Sequence, residues 1–160
     1  IASITVQPSN DSPLVTDGVT MATIAEDVTA DDNLGTSVAA MLAGHYTDKD
    51  TGNDVGVAVV TVDETYGDWQ YTCDSAQPYD WSDFVGGYHL GYVVPPLPIL
   101  TSATLLKSTC RMRFLPQANL NSENMATAPY VTILGWDNTE TGLTSAVTYG
   151  VDITGYADSE

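Results

Sequence analysis

The sequence predicts an all-β protein, an antiparallel β-sandwich of about seven to nine strands with one short helix. The 160 residues are rich in Thr, Val, Tyr, Gly, Asp and Asn, and only four are Lys or Arg. No long stretch carries apolar residues at helical spacing, whereas short apolar runs alternate with turn-forming residues along the chain. A chain of this length buries one core of ordinary size, so we expect a single domain.

The first seven residues, IASITVQ, alternate as a strand does, and the turn formers and two prolines that follow interrupt the pattern. We therefore divide the chain into an N-terminal strand and linker, residues 1–13, and a sandwich domain, residues 14–160. A strand that does not pair within its own domain presents unbonded backbone groups, which a neighbouring copy can take up at a sheet edge. Ile4 and Val6 are the apolar side chains that such an exchanged strand offers.

Three segments in the first half of the domain have clear preferences. Residues 19–25 are expected to form a strand, and residues 36–43 a short helix capped by one of its two leading hydroxyl residues. Residues 55–62 form a mostly apolar strand, and the turn formers after it predict that residues 68–73 pair back on it as a β-hairpin. This hairpin, with an acidic loop at residues 47–54 in front of it, is the predicted centre of the sandwich.

The second half of the domain begins with its least regular part. Residues 74–101 contain several aromatic residues and, within an insert at residues 86–101, a Gly pair and the run PPLP. Proline cannot donate to a strand ladder, so the insert is expected to be extended and irregular. Further strands are predicted at residues 102–106, 109–115, 130–136 and 146–154.

The two cysteines, Cys73 and Cys110, each lie in a strand-like segment. One cross-strand or cross-sheet disulfide suits this placement, and two buried free thiols are the alternative. In an oxidising compartment the disulfide closes a loop of roughly 38 residues and stabilises the fold by about 3–4 kcal/mol through chain entropy. A glycosylation sequon at Asn10 also fits an extracellular or cell-surface location, although Pro13, directly after the sequon, opposes glycosylation.

The formal net charge of −17 and the pI near 4.1 make nucleic acid and anionic membrane surfaces poor partners. A cation is the natural counterpart, and Ca²⁺ prefers about six to eight oxygen ligands from carboxylates and carbonyls. The alternative is an acidic surface that only keeps the protein in solution. The candidate calcium ligands lie at a strand end, in the acidic loop and in the linker: Glu26, Asp27, Asp48, Asp50, Asn10 and Asp11.

The sequence contains no catalytic motif. His45 and His89 are the only histidines, and neither lies in a metalloprotease, nucleophile-elbow or other catalytic context. A carboxylate pair of the kind that glycosidases use can always be chosen among 21 acidic residues, so such a pair carries no weight. We therefore expect a noncatalytic protein.

The aromatic residues suggest a second type of site. Trp69 and Trp136 lie in apolar strands and are expected to fill the core. Trp81, with Tyr88 and Tyr92 in the segment after it, is the better candidate for an exposed interaction surface. A glycan is the partner that such a surface would bind.

Eight short motifs, in their order along the chain, resemble the cadherin-like tandem repeats of very large bacterial surface and secreted proteins. They cover nearly the whole chain and lie at residues 10–13 (NDSP), 24–27 (IAED), 47–52 (TDKDTG), 55–59 (VGVAV), 67–71 (GDWQY), 103–106 (ATLL), 113–121 (RFLPQANLN) and 135–138 (GWDN). Members of this family usually lack a cysteine pair, and the insert of this chain is longer than the family's usual connection at that place.

The resemblance implies an Ig-like sandwich that serves as an extracellular stalk, adhesion or matrix module, with Ca²⁺ held between consecutive repeats. It implies no catalysis. The first functional hypothesis is therefore a structural module that assembles head-to-tail, with copies of itself or adjacent repeats, into a fibre or stalk. Residues 1–7 are the candidate exchanged strand. The alternative is a carbohydrate-binding adhesin that uses the aromatic surface around Trp81.

Overall fold

A computed structural model describes residues 4–5, 11, 13–50, 52, 54–84, 103–137, 149–152 and 156–157 of the protein, the last two ranges by their backbone alone. It confirms the predicted all-β, sandwich-like fold with one short helix. The described residues form twelve strands, more than predicted, because several are only two residues long. The elements are β1 (Leu14–Val15), β2 (Ile24–Ala25), β3 (Thr36–Ser37), α1 (Val38–Met41), β4 (Tyr46–Thr47), β5 (Gly56–Val62), β6 (Gly67–Thr72), β7 (Ser82–Asp83), β8 (Thr104–Lys107), β9 (Arg111–Pro116), β10 (Tyr130–Trp136), β11 (Tyr149–Asp152) and β12 (Tyr156–Ala157).

Two four-stranded sheets form the body of the sandwich. The first sheet has the strand order β11-β10-β5-β8 and the second has the order β3-β9-β6-β7. Every neighbouring pair within them is antiparallel. Two smaller pairs, the antiparallel β1-β4 and the parallel β12-β2, account for the other described strands. Strands β8 to β11 lie at the places that the sequence predicts for them.

The apolar core lies between the two sheets, because alternate side chains of a strand point to the same face. Trp69 and Phe114 are both buried, and their ring centroids are 5.1 Å apart. Burying one large apolar side chain stabilises a fold by about 1.5–3 kcal/mol. The two sheets contribute to one buried cluster that includes Val57, Val59, Leu106, Val131 and Ile133 from the first sheet and Trp69, Met112 and Phe114 from the second.

β5 is buried on both faces and lies inside the first sheet. Val57 and Val59 face the main core, whereas Ala58 and Val60 belong to a second buried cluster together with Leu134 of β10. β10 pairs with one edge of β5 and β8 with the other. A strand that is apolar on both faces is stable only in such an interior position.

The predicted β-hairpin of residues 55–62 and 68–73 is wrong. β5 lies in the first sheet and β6 in the second, so the chain crosses between the sheets at Asp63 and Thr65. The Asp63 carboxylate accepts hydrogen bonds from the Thr65 amide at 3.1 Å and from its hydroxyl at 2.6 Å. The indole nitrogen of Trp69 donates to the Asp63 carbonyl at 2.9 Å, which ties the crossing to the core. Because β8 and β10 fill both edges of β5, β6 pairs in the facing sheet instead.

The predicted helix is present but short. α1 begins after Ser37, whose hydroxyl accepts a hydrogen bond from the Ala40 amide at 3.2 Å as an N-cap does. Val38 and Met41 are its buried residues. Thr36, the other predicted cap, belongs to β3.

The predicted strand at residues 19–25 is present only at its end, where Ile24–Ala25 pairs in parallel with β12. Earlier in this segment the Ala22 amide donates to the Thr36 hydroxyl at 3.0 Å. A side chain thus takes a backbone bond that a strand neighbour would otherwise make. The predicted insert at residues 86–101 lies outside the described residues.

The predicted disulfide joins Cys73 and Cys110 across neighbouring strands. The two cysteines continue the register of β6 and β9, in which Thr72 lies opposite Arg111. Cys110 is buried and Cys73 is exposed. The alternative of two free thiols therefore does not hold.

Within the part of the chain that the structure describes, no helix has the length and apolar character needed to cross a membrane.

Candidate functional sites

The acidic loop after β4 folds onto the linker that precedes the domain. The Asp50 amide donates to the Asp48 carboxylate at 2.9 Å, which is the turn that a D-x-D sequence favours. The Asp11 amide donates to the Asp50 carboxylate at 2.6 Å, and the Asp11 carboxylate lies 3.7 Å from the Lys49 ammonium. Three of the predicted calcium ligands, Asp11, Asp48 and Asp50, are therefore close together.

One oxygen of this loop is buried without a partner. Asp48 Oδ2 has no hydrogen-bond partner among the described residues. The neighbouring Tyr46 hydroxyl donates to the Trp136 carbonyl at 3.2 Å. Burial, together with the negative charges of Asp48 and Asp137, raises the pKa of the Tyr46 phenol. The loop thus combines partial burial with negative charge, which are conditions that favour a bound cation.

The other predicted calcium ligands do not complete this site in the described chain. Glu26 and Asp27 follow β2, which pairs with β12, and no described contact joins them to the acidic loop. Asn10, which is also the predicted glycosylation site, lies outside the described residues. No group of three or more His, Cys, Asp or Glu side chains among the described residues is arranged to hold a metal ion.

A cluster of two arginines and two aromatic residues covers the outer face of the second sheet. The Arg113 guanidinium lies 4.0 Å from the centre of the Trp81 ring, and the Arg111 guanidinium lies 5.6 Å from that of Tyr79. The Tyr79 and Trp81 rings meet edge to face at 5.8 Å. We call Arg111, Arg113, Tyr79 and Trp81 the arginine–aromatic cluster. Contacts of this kind contribute about 0.5–2 kcal/mol each, depending on exposure.

Both arginines also hold the loop that precedes β3. Arg113 is 6% exposed and donates to the Ala30 and Asn33 carbonyls at 2.5 and 3.1 Å. Arg111 donates to the Leu34 and Gly35 carbonyls, both at 2.8 Å. The loop is thereby fixed against the second sheet.

Gly35 is required where this loop meets the cluster. Its φ of +62° is a left-handed conformation, and a Cβ atom here would collide with the backbone oxygen of Met112 and with the Trp81 ring. Any larger residue would therefore push the loop away from the sheet. The close approach lets Trp81 pack between the loop and Arg113.

A groove of about 360 Å³ lies beside the cluster. Its walls include Tyr79, Trp81 and the Gln77–Pro78 pair, and Asp31 and Arg113 contribute charged groups. Trp81, which belongs to the predicted interaction surface, is half-buried. It lies at the wall of this groove rather than on an open patch. Tyr88 and Tyr92 lie outside the described residues.

The sequence interpretation missed Arg111 and Arg113 as partners of the aromatic residues. The alternation Arg-Met-Arg-Phe in β9 places both arginines on one face and the buried Met112 and Phe114 on the other. This alternation was the available indication. The aromatic partners lie more than 30 residues away in the sequence, and pattern alone does not place them.

The N-terminal segment is described at two residues. Neither Ile4 nor Thr5 is part of a strand, and Ile4 is 90% exposed. Val6, the other apolar residue of the predicted exchanged strand, lies outside the described residues. At Ile4 an apolar side chain from a β-like sequence therefore has no partner within the described part of the chain.

His45 is half-buried in a structural setting. Its Nδ1 atom lies 3.0 Å from the Asp17 carbonyl and 3.5 Å from the Thr16 hydroxyl. The Thr16 amide in turn donates to the His45 carbonyl at 2.8 Å. These contacts join β1 to the turn before β4. His89 lies outside the described residues.

Comparison with known proteins returned no protein-family model, no curated protein and no solved structure that matches this chain.

Proposed function

We propose that the protein is a noncatalytic extracellular module that assembles head-to-tail into an elongated fibre or stalk, with residues 1–7 of one copy pairing with the next. The observation that carries this proposal is the 90% exposure of Ile4 in a segment whose alternation is that of a strand. An exposed β-like segment gains backbone hydrogen bonds and apolar contacts when it joins the edge of another sheet. Head-to-tail addition does not close on itself, so it produces fibres.

The contacts of the linker support this proposal. Asp11 is bound to Asp50 and lies beside Lys49, so the chain is held to its own domain at that point. Ile4 lies seven residues upstream, which allows an extended reach of about 23–25 Å. A segment that is anchored at Asp11 and exposed at Ile4 suits exchange with a neighbouring copy. The disulfide supports an extracellular location, since such bonds persist in oxidising compartments.

Sedimentation and electron microscopy of the whole chain test the proposal. Wild-type protein is expected to form elongated particles whose mass rises with concentration. Ile4→Asp is expected to weaken association by about tenfold or more, because it removes one apolar anchor and adds a charge. Thr5→Asp is the matched control, since successive side chains of a strand point to opposite faces. A wild-type chain that stays monomeric, or an Ile4→Asp chain that assembles as well as the control, would contradict the proposal.

We include a calcium ion at the acidic loop in this proposal. Asp48 Oδ2 is a buried oxygen without a partner among the described residues, and Asp50 and Asp11 lie beside it. Adjacent copies or repeats would supply the ligands that a coordination of about six to eight oxygens requires. The ion would then stabilise the assembly as well as the fold.

Thermal melts with Ca²⁺ and with chelator test whether the acidic loop binds the ion. Bound Ca²⁺ at about one hundred times its dissociation constant stabilises the fold by about 2.7 kcal/mol. Asp48→Asn should remove most of this shift, whereas Asp68→Asn, an exposed acid on β6, should retain it. Equal midpoints with Ca²⁺ and with chelator in the assembled protein would remove the ion from the proposal and leave strand exchange standing.

A second function, glycan binding, is favoured by the groove beside the arginine–aromatic cluster. Aromatic faces and edges with nearby carboxylate and amide groups are the usual composition of sugar-binding surfaces, and Tyr79, Trp81, Asp31 and Gln77 provide them here. Because Trp81 also supports the fold, the test uses the exposed Gln77 and Asp31. If the groove binds glycans, Gln77→Ala and Asp31→Asn lower the signal on a glycan array and Asp68→Asn does not. An array without any signal for the wild-type chain would count against this function.

A further inference from the structure

β8 is an end strand of the first sheet. It pairs with β5 through the register Gly56 to Lys107, Val57 to Leu106, Ala58 to Leu105 and Val59 to Thr104. Among the described strands none pairs with its other side. Half of the backbone groups of an end strand point away from the sheet, and these groups form a template for one more strand.

The side chains of β8 suit an apolar partner. Leu106 is fully buried in the main core, whereas Leu105 is 47% exposed on the opposite face. Leu105 lies beside Ala58, and Ala103 packs against the second buried cluster. A strand added at this edge would extend the apolar surface of that cluster and cover the exposed part of Leu105.

Charge also favours this edge for contact between two copies. The chain has a net charge of −17, so two copies repel one another over most of their surfaces. Residues 103–107, ATLLK, contain no acid and carry one of the four cationic residues of the chain, Lys107. Residues 1–7, IASITVQ, contain no charged side chain. The approach of these two segments therefore costs little electrostatic energy.

The end strands of the second sheet are less suitable acceptors. These strands, β3 and β7, have only two residues each. Both residues of β7 are exposed and one is Asp83, whose carboxylate accepts a hydrogen bond from Gln70 at 2.8 Å. A short, acidic edge is a poor template for an uncharged strand of another acidic copy.

We infer that the edge of β8 (Thr104–Lys107) with which no described strand pairs is the acceptor for residues 1–7 of a second copy. This inference rests on the proposed strand exchange and assigns its docking surface. Alternate apolar side chains of the donor, Ile4 among them, lie beside Leu105 and Ala103 on the same face of the sheet, and the donor backbone completes the hydrogen bonds of β8. The first sheet of one copy thereby grows by a strand of the next.

Photo-crosslinking of the assembled protein tests the assignment. A benzoylphenylalanine at Ile4, in an equal mixture of unlabelled and ¹⁵N-labelled chains, is expected to form crosslinks between labelled and unlabelled copies at residues 103–107. Intermolecular crosslinks that map to another edge would overturn the assignment, although strand exchange itself would stand. Crosslinks within one copy only, or a chain that does not assemble, would overturn both.

A substitution on the acceptor provides the second measurement. Leu105→Lys is expected to weaken association by about tenfold to a hundredfold, because it replaces an apolar contact of the donor by a charge. Leu14→Lys is the matched control, since Leu14 is a similarly exposed leucine, 43%, on another strand. Both variants should keep the thermal midpoint of the monomer, which excludes misfolding. Equal association of the two variants would overturn the assignment to β8.

Discussion

The burial of Arg113 is tolerated because its donors have partners. Nε and Nη2 both donate to the Gln70 side-chain oxygen, at 2.8 and 2.6 Å, and Nη1 donates to two backbone carbonyls. Gln70 in turn donates to Asp83 at 2.8 Å, so the bonds run across β9, β6 and β7. Burial lowers the pKa of Arg113, and the charge of Asp31 acts in the opposite direction. The side chain therefore connects three strands and the loop before β3.

Arg113→Ala is expected to lower the free energy of unfolding by about 2–4 kcal/mol, because it leaves buried oxygens unpaired and removes the stacking on Trp81. Arg113→Lys should lie between this variant and wild type, since an ammonium cannot bond as a planar fork. Urea denaturation measures the free energy of unfolding of both variants. Lys107→Ala, an exposed cation, should change stability by about 0.5 kcal/mol or less. If Arg113→Ala changed the free energy of unfolding as little as Lys107→Ala does, the hydrogen bonds around Arg113 would contribute nothing to stability.

Tyr46 makes the fold sensitive to alkaline pH. Its hydroxyl donates to Trp136, and burial, followed by the charges of Asp48 and Asp137, raises the pKa of this phenol. The native state therefore holds the proton more tightly than the unfolded chain, in which tyrosine ionises at about pH 10. The stabilisation is fully present below that pH and is lost as the pH rises toward the folded-state pKa.

Tyr46→Phe is therefore expected to destabilise the protein by about 1 kcal/mol at neutral pH, through loss of the hydrogen bond. Above about pH 10 the stability of the variant should decline less steeply than that of wild type. Urea denaturation between neutral pH and about pH 11 measures the two slopes. Tyr130→Phe, at an exposed tyrosine, is the control. Parallel slopes for wild type and Tyr46→Phe would show that this phenol does not govern the alkaline decline.

The positions of the long strands follow from the sequence, but their partners do not. β10 lies where the alternation of residues 130–136 places it, and the apolar run of residues 55–62 contains β5. Alternation in one strand shows which faces are buried and does not identify the neighbouring strand. Turn formers after β5 fit a hairpin and a crossing equally well, and the crossing is formed because β8 and β10 occupy both edges of β5.

The candidate sites follow the same division between local and distant contacts. The turn at Asp48 and Asp50 is local, and the D-x-D sequence favours it. Asp11 contacts this loop, whereas no described contact brings Glu26 to it. The stacking of Trp81 on Arg113 depends on two loops and a sheet that meet only in the folded chain. Contacts of this kind cannot be read from residue patterns.

The disulfide joins β6 and β9, which are already neighbours in the second sheet. Its main effect is therefore on the unfolded chain, where it closes a loop between residues 37 positions apart. Replacement of both cysteines, Cys73→Ser with Cys110→Ala, is expected to cost about 3–4 kcal/mol. Urea denaturation measures the loss. An equal stability of oxidised wild type and this double variant would show that the unfolded chain gains no freedom when the bond is absent.

The charge of the whole molecule opposes the proposed head-to-tail assembly. Each copy carries a net charge of −17, and only four of its side chains are Lys or Arg. Two of these, Arg111 and Arg113, are engaged with loop carbonyls and aromatic rings. Few cations are therefore left to attract a second copy. In the proposed assembly, apolar and backbone contacts must overcome repulsion between copies, and dissolved ions reduce that repulsion.

Assembly is accordingly expected to strengthen as the salt concentration rises. Between about 10 mM and about 100 mM NaCl the Debye length falls from about 30 Å to about 10 Å, so repulsion between the acidic surfaces is increasingly screened. Sedimentation velocity at fixed protein concentration should show a growing fraction of large species over this range. CaCl₂ at matched ionic strength separates screening from binding, because only a bound ion adds to the effect of NaCl and only in chains that retain Asp48. If added NaCl dissolved the assemblies instead, this would show that attraction between opposite charges holds the copies together. The uncharged contact between residues 1–7 and β8 would then not be what joins them.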